Sequence, residues 1–193
     1  MFDGEVGDTF TIGLRRTDVR LAVTTAMAVA TSGRWASRLM DRDTGLWTSV
    51  PAVAEDIDER LGWLDAPGHF MTQIPALEAF GERCRDAGFR AAVVAGMGGS
   101  SLAPEVLQRV FRTTDDWLDL RVLDSTDPAA VAAAVDDLDP LATLFIVASK
   151  SGTTTEPLAF QADAWARIGG ALDARRTDES PGMLMVAITD PGR

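Results

Sequence analysis

The sequence predicts an α/β fold, a parallel sheet covered by helices on both faces and preceded by a helical segment. From residue 89 onward, short apolar runs alternate with helical patterns, which is typical of right-handed βαβ units. Before residue 89, apolar residues recur at steps of three and four, which predicts helices. We therefore predict two domains, a helical N-terminal extension over residues 1–88 that packs on a sheet domain over residues 89–193.

The N-terminal region is predicted to contain three helices after an irregular start over residues 1–14. Pro51 suits the first turn of the second helix, because proline lacks an N–H that this turn leaves unbonded. The run Asp-Ala-Pro-Gly at residues 65–68 predicts a loop, and Gly88 suits the position just after the third helix. The predicted helical spans are 17–40, 51–64 and 74–87.

Four strands and three helices are predicted to alternate in the rest of the chain. The predicted strands are 91–95, 120–123, 144–148 and 183–188, and the predicted helices are 101–111, 129–135 and 154–172. The sequence stops directly after the fourth strand, before the crossover helix that a βαβ fold would place there. We therefore expect a fragment, or the front part of a longer protein.

Composition excludes several classes of protein. The net charge of −11 argues against nucleic-acid binding, which requires concentrated Lys and Arg. No apolar run approaches the roughly 20 residues that span a bilayer, and the acidic N-terminus lacks a signal-peptide pattern. The single cysteine excludes an internal disulfide and fits a reducing compartment, so we expect a soluble cytoplasmic protein.

A glycine-rich loop, Gly96-Met97-Gly98-Gly99-Ser100-Ser101, follows the first predicted strand. Glycines allow backbone N–H groups to approach a ligand closely, and the next helix begins with a partial positive charge. The loop matches neither the Walker A pattern nor the dinucleotide pattern, because the latter requires glycine at position 101. A tight turn in which Ser100 or Ser101 caps the helix is the alternative.

A hydroxyl-rich loop, SKSGTTTEP over residues 149–157, follows the third predicted strand. It offers five hydroxyl groups, the charge of Lys150 and the N–H groups of the next helix, all of which suit a phosphate monoester. Capping of that helix by Thr154 or Thr155 is the alternative, although a cap needs one hydroxyl rather than five and a lysine. Ligands of open parallel sheets bind at the carboxyl ends of the strands, so the two loops together predict binding of a phosphorylated small molecule.

Both loops resemble the phosphate-side motifs of the phosphoglucose isomerase family, which lie in its sugar isomerase (SIS) domain. Family sequences commonly show GxGGSxLGP and SKTFTTxET, where this chain has GMGGSSLAP (96–104) and SKSGTTTEP (149–157). DSTDP (124–128) and AITDPG (187–192) look like segments at the ends of SIS strands, and residues 46–65 resemble the actinobacterial form fused to transaldolase. The resemblance implies a three-layer α/β/α SIS fold, flavodoxin-like and Rossmann-related, with residues 89–193 as a first SIS domain truncated at its C-terminal end.

This chain departs from the family pattern at several positions of the two loops, and the side chain changes greatly in size only at Gly152. Met97 stands for isoleucine, Ala103 for glycine, and Ser151 keeps the hydroxyl of a threonine. Gly152 replaces phenylalanine, which moves the loop toward the general SIS pattern SxSGxT. Lys150 discriminates among SIS proteins, because amidotransferase-type and regulatory SIS domains typically carry glutamine there, whereas phosphoglucose isomerases carry lysine.

The resemblance also implies roles for individual residues. Gly99 and Ser100 would lie against the phosphate or the sugar, and Glu156 would support and orient the catalytic groups. The family's base glutamate, with an arginine, a histidine and a lysine, lies beyond the SIS domain, so we expect the main base to be absent from this chain. The residues expected to hold the phosphate and sugar are Ser149, Lys150, Ser151, Gly152, Thr153 and Thr154.

The implied function is isomerisation of glucose 6-phosphate to fructose 6-phosphate in glycolysis and gluconeogenesis. A carboxylate base would move a proton between C1 and C2 through an enediol. We expect this chain to supply the phosphate-binding half and to be inactive alone, with no cofactor and no metal. The full-length protein is expected to be a homodimer, with transaldolase as a fused or neighbouring partner. A non-catalytic phosphosugar-binding SIS module and another SIS sugar-phosphate isomerase are the alternatives.

Other conspicuous residues receive structural interpretations. His69 is the only histidine and matches no catalytic position of the family, so a surface or loop role is expected. Cys84 is expected to be a buried small hydrophobic residue. The five tryptophans are expected to contribute to core or subunit packing rather than to sugar stacking.

Overall fold

A computed structural model of the chain describes residues 17–111, 114 and 116–190. The chain divides into two compact units, residues 1–74 and 75–193. The boundary between the two units lies before Pro75, inside the helix Ala66–Asp86. The predicted domain boundary, after Gly88, lies just beyond the end of that helix. The predicted irregular start lies outside the described residues. Within the described part of the chain, no helix combines the length and the apolar character needed to cross a membrane.

The first unit consists of short helices with little core of their own. Among its described side chains, Leu61 is the only buried hydrophobic one. Gly33 and Arg34, which has a φ of 52°, divide the predicted first helix into α1 (Thr17–Ser32) and α2 (Trp35–Met40). The predicted second helix is shorter than expected, since α3 (Pro51–Asp58) gives way to a 3₁₀ turn at Leu61–Asp65 that contains the poor helix former Gly62.

Helix α4 (Ala66–Asp86) shows where the sequence prediction was wrong. Residues 66–68, predicted as loop, form its first turn, because Pro67 falls where a missing N–H costs nothing. The helix then continues through Pro75, so it begins eight residues before the predicted start at residue 74. Gly88, with a φ of 94°, follows the helix end as predicted.

One sheet of four parallel strands organises the described part of the second unit. Its order is β2-β1-β3-β4, so the connection from β2 to β3 passes over β1. Each predicted strand is confirmed within two residues, and β4 starts later than predicted because Pro181–Leu184 form a 3₁₀ turn. The strands are β1 (Ala91–Gly96), β2 (Asp119–Leu123), β3 (Thr143–Ala148) and β4 (Met185–Ile188).

Helices cover both faces of this sheet, which confirms the three-layer α/β fold. On one face, Val93 and Phe145 contact Ile168 in the larger hydrophobic cluster. On the other face, Ala92 and Leu144 pack with Cys84 of α4, which is buried as predicted. The connecting helices are α5 (Gly99–Phe111), α6 (Pro128–Val135) and α7 (Thr155–Ala174).

A core substitution tests this packing. Ile168 is 0% exposed in α7, so Ile168→Ala should lower the free energy of unfolding by about 2–5 kcal/mol through lost burial and a residual cavity. Leu107→Ala, at a position 54% exposed, is the control and should change it by less than about 0.5 kcal/mol. Urea denaturation measures both, and equal effects would contradict the position given to Ile168.

An ion pair predicts a pH dependence of stability. Arg121 of β2 donates to Asp137 just after α6, including a bond of 2.9 Å, and to the Ala134 carbonyl at 3.1 Å. The Arg121 guanidinium holds the pKa of the Asp137 carboxyl below its ordinary value, so the pair contributes stability above that ordinary value, about 4. This contribution is lost as the pH falls through the lowered pKa.

Asp137→Asn should therefore destabilise the chain at pH 7, and the difference from the unmodified chain should shrink as the pH falls below about 4. Asp178→Asn, at an exposed carboxylate without an ion pair to any described residue, is the control. Thermal unfolding at a series of pH values measures the difference. A difference between the unmodified chain and Asp137→Asn that does not change with pH would refute the ionic origin.

Candidate functional site

The two loops singled out in the sequence leave neighbouring strands at the same edge of the sheet. Strand β1 ends at Gly96 and β3 ends at Ala148, and these two residues are partners in the parallel register. Helix α5 then leads to β2 on one side, and α7 leads to β4 on the other. The two connections thus diverge between β1 and β3, which is the switch point where open parallel sheets bind ligands.

The glycine-rich loop is shaped by a close approach of backbone to backbone. A Cβ on Gly96 would lie 2.9 Å from the Ser100 Cβ and 3.1 Å from the Ala148 carbonyl oxygen, so no larger residue fits there without movement. Gly98 has a φ of 55°, in the left-handed region that glycine adopts without strain. The first turn of α5 is thereby held against the carboxyl ends of β1 and β3.

The serines of this loop do not cap the helix, contrary to the alternative drawn from the sequence. Helix α5 begins at Gly99, so Ser100 and Ser101 lie inside its first turn. Ser101 is buried, and its hydroxyl donates to the Gly98 carbonyl at 3.1 Å. The Ser100 N–H donates to the Met97 carbonyl and the Ser101 N–H to the Gly98 carbonyl, both at 3.1 Å. Of the N–H groups in the first turn, that of Gly99 has no acceptor among the described residues, which leaves it available to an anion.

The hydroxyl-rich loop is tied together by its own side chains. The buried Ser149 donates its N–H to the Ile188 carbonyl at 3.0 Å and its hydroxyl to the Thr154 hydroxyl at 3.1 Å. Ser151 accepts from the Thr153 hydroxyl at 2.9 Å and from the Thr153 N–H at 3.2 Å. These bonds span the loop from end to end, so its shape does not depend on a ligand.

Thr154 occupies the N-cap position of α7, but its side chain makes no capping hydrogen bond. Its hydroxyl accepts from Ser149 instead, and Thr155 is the first helical residue. Capping by these threonines, the alternative drawn from the sequence, is therefore wrong. The hydroxyls of the loop connect its two ends, and the first N–H groups of α7 receive no threonine cap.

Lys150 and Glu156 differ in exposure. Lys150 is exposed, and its side chain forms no ion pair or hydrogen bond with the residues that the structure describes. Its backbone carbonyl accepts from the Thr189 hydroxyl at 3.3 Å and from the Asp190 N–H at 3.2 Å. Glu156 is half-buried in the first turn of α7. The loop thus fixes the backbone of Lys150 while leaving its ammonium group free for a ligand.

Thr189 and Asp190 lie in AITDPG (187–192), which the sequence marked as the end of a strand, but their contacts with Lys150 were not predicted. Both follow β4, whose carboxyl end lies at the same edge as those of β1 and β3. The polar residues directly after the fourth strand were the signal that could have found them. Asp127, in the segment DSTDP after β2, has a structural role, because its carboxylate caps α6 by accepting from the Ala129 N–H at 2.9 Å.

Other residues discussed from the sequence lie away from this edge or outside the core. His69 is exposed, although it lies in α4 rather than in a loop. The expectation that the tryptophans pack in the core of this chain is wrong. Each tryptophan is about half exposed, up to 62% at Trp63. Among the described residues, no group of three or more His, Cys, Asp or Glu side chains is placed to hold a metal ion.

The sequence matches the family model described as "Phosphoglucose isomerase" over residues 69–189, which is more than half of the chain. The chain belongs to the phosphoglucose isomerase family. Both candidate loops lie inside the matched segment, so the family match covers the edge of the sheet described above.

Individual family members show the same relationship. The glucose-6-phosphate isomerase of Caulobacter sp. (strain K31) is 32% identical over 144 residues, which are 70% of this chain and 27% of that protein. The enzyme of the same name from Mycobacterium ulcerans (strain Agy99) is 36% identical over 122 residues, 62% of this chain and 21% of that protein. The chain thus spans about a quarter of the length of these curated relatives.

Solved structures agree with the fold. A hypothetical protein from Thermus thermophilus superposes with a TM-score of 0.60 at 26% identity, over 90% of this chain and 38% of that one. A glucose-6-phosphate isomerase from Chlamydia trachomatis gives a TM-score of 0.52 at 23% identity, over 80% of this chain and 27% of that one. The second likeness shows the fold alone, the three-layer α/β/α arrangement.

A pair of glycine substitutions tests the geometry of the first loop. Gly96→Ala should lower the free energy of unfolding by about 1–3 kcal/mol, because the new Cβ meets backbone atoms that cannot move away cheaply. Gly99→Ala is the matched control, since nothing lies within 4 Å of its added Cβ and alanine favours a helix. Denaturant unfolding compares them, and equal stability of the two variants would contradict the close approach at Gly96.

Proposed function

We propose that this chain forms the phosphate-binding half of an enzyme that interconverts glucose 6-phosphate and fructose 6-phosphate. Lys150 would pair with the phosphate, while Gly99 and Ser100 would lie against the phosphate or the sugar. Glu156 would support and orient the reacting groups. The remaining phosphate contacts would come from Ser149, Ser151, Gly152, Thr153 and Thr154.

The observation that carries the proposal is an exposed Lys150 whose side chain has no ion pair or hydrogen bond to any described residue. It lies at the switch point of the sheet, on a loop held by its own hydrogen bonds. The chain carries a net charge of −11, so long-range attraction does not bring an anion to it. A local site must supply the attraction, and Lys150, whose backbone is held in the loop that leads into the N-terminus of α7, does so. The family membership favours a sugar phosphate as the anion, since the named relatives are glucose-6-phosphate isomerases.

The proposed chemistry divides between this chain and residues outside it. The isomerisation needs a base that moves a proton between C1 and C2, and Glu156 is proposed only to orient the groups that do this. We therefore propose that the main base comes from outside this chain and that the chain alone does not turn over substrate. Turnover of glucose 6-phosphate by the purified chain would refute this part of the proposal.

The biological setting is proposed on the same basis. A place in glycolysis and gluconeogenesis follows from the proposed reaction, and a cytoplasmic location is favoured by the single cysteine. A homodimer of the full-length protein, and transaldolase as a fused or neighbouring partner, remain predictions of the family resemblance.

Ligand-induced stabilisation tests the proposed phosphate site. Glucose 6-phosphate or 6-phosphogluconate at about 100 times its Kd should raise the Tm by about 5–10 °C, because binding to the folded state contributes about 2.7 kcal/mol. Lys150→Ala should weaken binding about 10- to 100-fold through loss of a charge-assisted contact. Differential scanning fluorimetry and calorimetric titration measure these effects.

Arg176→Ala is the matched control, since Arg176 is also exposed and its side chain has no partner among the described residues. It should bind both ligands as the unmodified chain does. An equal loss of affinity in both variants would show that net charge rather than the loop binds the anion. Preference for an arabinose or glucosamine phosphate would instead favour another SIS isomerase.

A further inference from the structure

A second concave site lies at the opposite end of the sheet from the candidate phosphate loops. Its volume is about 530 Å³, within the range of about 300–1,000 Å³ typical of small-molecule sites. Arg90 directly precedes β1, and Leu118 directly precedes β2, so the site lies at the amino ends of these strands. We call it the Arg90 cavity, and its lining residues are Arg85, Phe89, Arg90, Asp116, Trp117 and Leu118.

Two arginines line the Arg90 cavity, and neither forms a close ion pair with a described carboxylate. Acidic residues outnumber basic ones by 29 to 18, so most arginines could find a carboxylate. The second unit contains several that do, namely Arg109, Arg121, Arg167 and Arg175. Arg90 is exposed, and its side chain forms no ion pair with a described residue. Among the described carboxylates, Arg85 forms an ion pair only with its neighbour Asp86, at 3.4 Å. Two guanidinium groups therefore line one cavity, and their positive charge is only weakly balanced by described carboxylates. Asp116 also lines the cavity but forms no ion pair with either arginine.

An aromatic ring stands beside these two cations. Trp117 is 46% exposed, and the Arg85 guanidinium carbon lies 5.2 Å from the ring centroid. A Cβ on Gly81 would lie 3.2 Å from the Trp117 ring, so the glycine lets the ring sit close against α4. The ring is thus held in place while almost half of its residue surface remains open to a ligand.

We propose that the Arg90 cavity binds a nucleotide, a planar base joined to a phosphate. Guanidinium groups bind phosphate through paired hydrogen bonds, which Arg90 and Arg85 can offer. A base can stack on the exposed surface of Trp117 or on the Arg85 guanidinium. The Asp116 carboxylate can accept a hydrogen bond from an exocyclic amino group of the base. An anion that has no such amino group would only be repelled by this carboxylate. The cavity shares no residue with the candidate phosphate loops, so the inference does not rest on the proposed function.

Calorimetric titration of the 193-residue chain with AMP tests the inference, with adenosine and inorganic phosphate as the two partial probes. AMP should bind at least tenfold more tightly than either probe, because only AMP offers both the base and the phosphate. Arg90→Gln should weaken AMP binding about tenfold or more. Trp117→Leu should weaken AMP binding about tenfold and leave phosphate binding unchanged. Circular dichroism verifies that both variants are folded.

Two controls locate the binding. Arg176→Gln removes the same charge from an exposed arginine outside the cavity and should leave AMP affinity unchanged. Saturating glucose 6-phosphate, or Lys150→Ala, should also leave it unchanged. Absence of AMP binding, insensitivity to Arg90→Gln, an equal loss with Arg176→Gln, or phosphate binding as tight as AMP binding would each overturn the proposal. Displacement of AMP by glucose 6-phosphate would assign the binding to the other edge of the sheet and overturn it as well.

Discussion

The parallel pairing of β1 with β3 is the constraint on which the candidate site depends. It aligns Gly96 with Ala148, and so places the glycine-rich loop beside the hydroxyl-rich loop although many residues separate them in the chain. The pairing is possible because the connection from β2 to β3 crosses over β1, which gives the order β2-β1-β3-β4. The same crossover makes the chain leave β1 and β3 in opposite directions, and this opens the crevice between the two loops.

Glycine and the hydroxyl groups have different structural roles at this crevice. Gly96 allows the first turn of α5 to approach the Ala148 carbonyl, which brings a helix N-terminus to the sheet edge. The bond between the Ser149 and Thr154 hydroxyls, together with the bonds of Ser151 to Thr153, fixes the second loop before any ligand arrives. A site that is already ordered loses less conformational entropy on binding. The smaller loss of entropy favours anion binding in a chain whose net charge repels anions.

The two ends of the strands carry cations of different chemistry. At the carboxyl ends, Lys150 is a single flexible charge among hydroxyls, which suits the phosphate of a polar sugar. At the amino ends, Arg85 and Arg90 lie beside the Trp117 ring, which suits a planar anion. The molecule has more carboxylates than cations, and four other arginines of the described sheet unit form ion pairs, namely Arg109, Arg121, Arg167 and Arg175.

The sequence by itself determined the element types of the sheet unit, and it singled out both loops by composition. This was possible because apolar runs, glycines and hydroxyl clusters are local signals, and each strand was placed within two residues. Continuation of α4 through Pro75 was not predictable, because proline also favours a helix start. Only the tertiary structure decided that Thr154 bonds to Ser149 rather than capping α7, that Thr189 and Asp190 hold the backbone of Lys150, and that Trp117 stands beside Arg85. Those contacts join residues through loop geometry, strand pairing and helix packing, which no local pattern encodes.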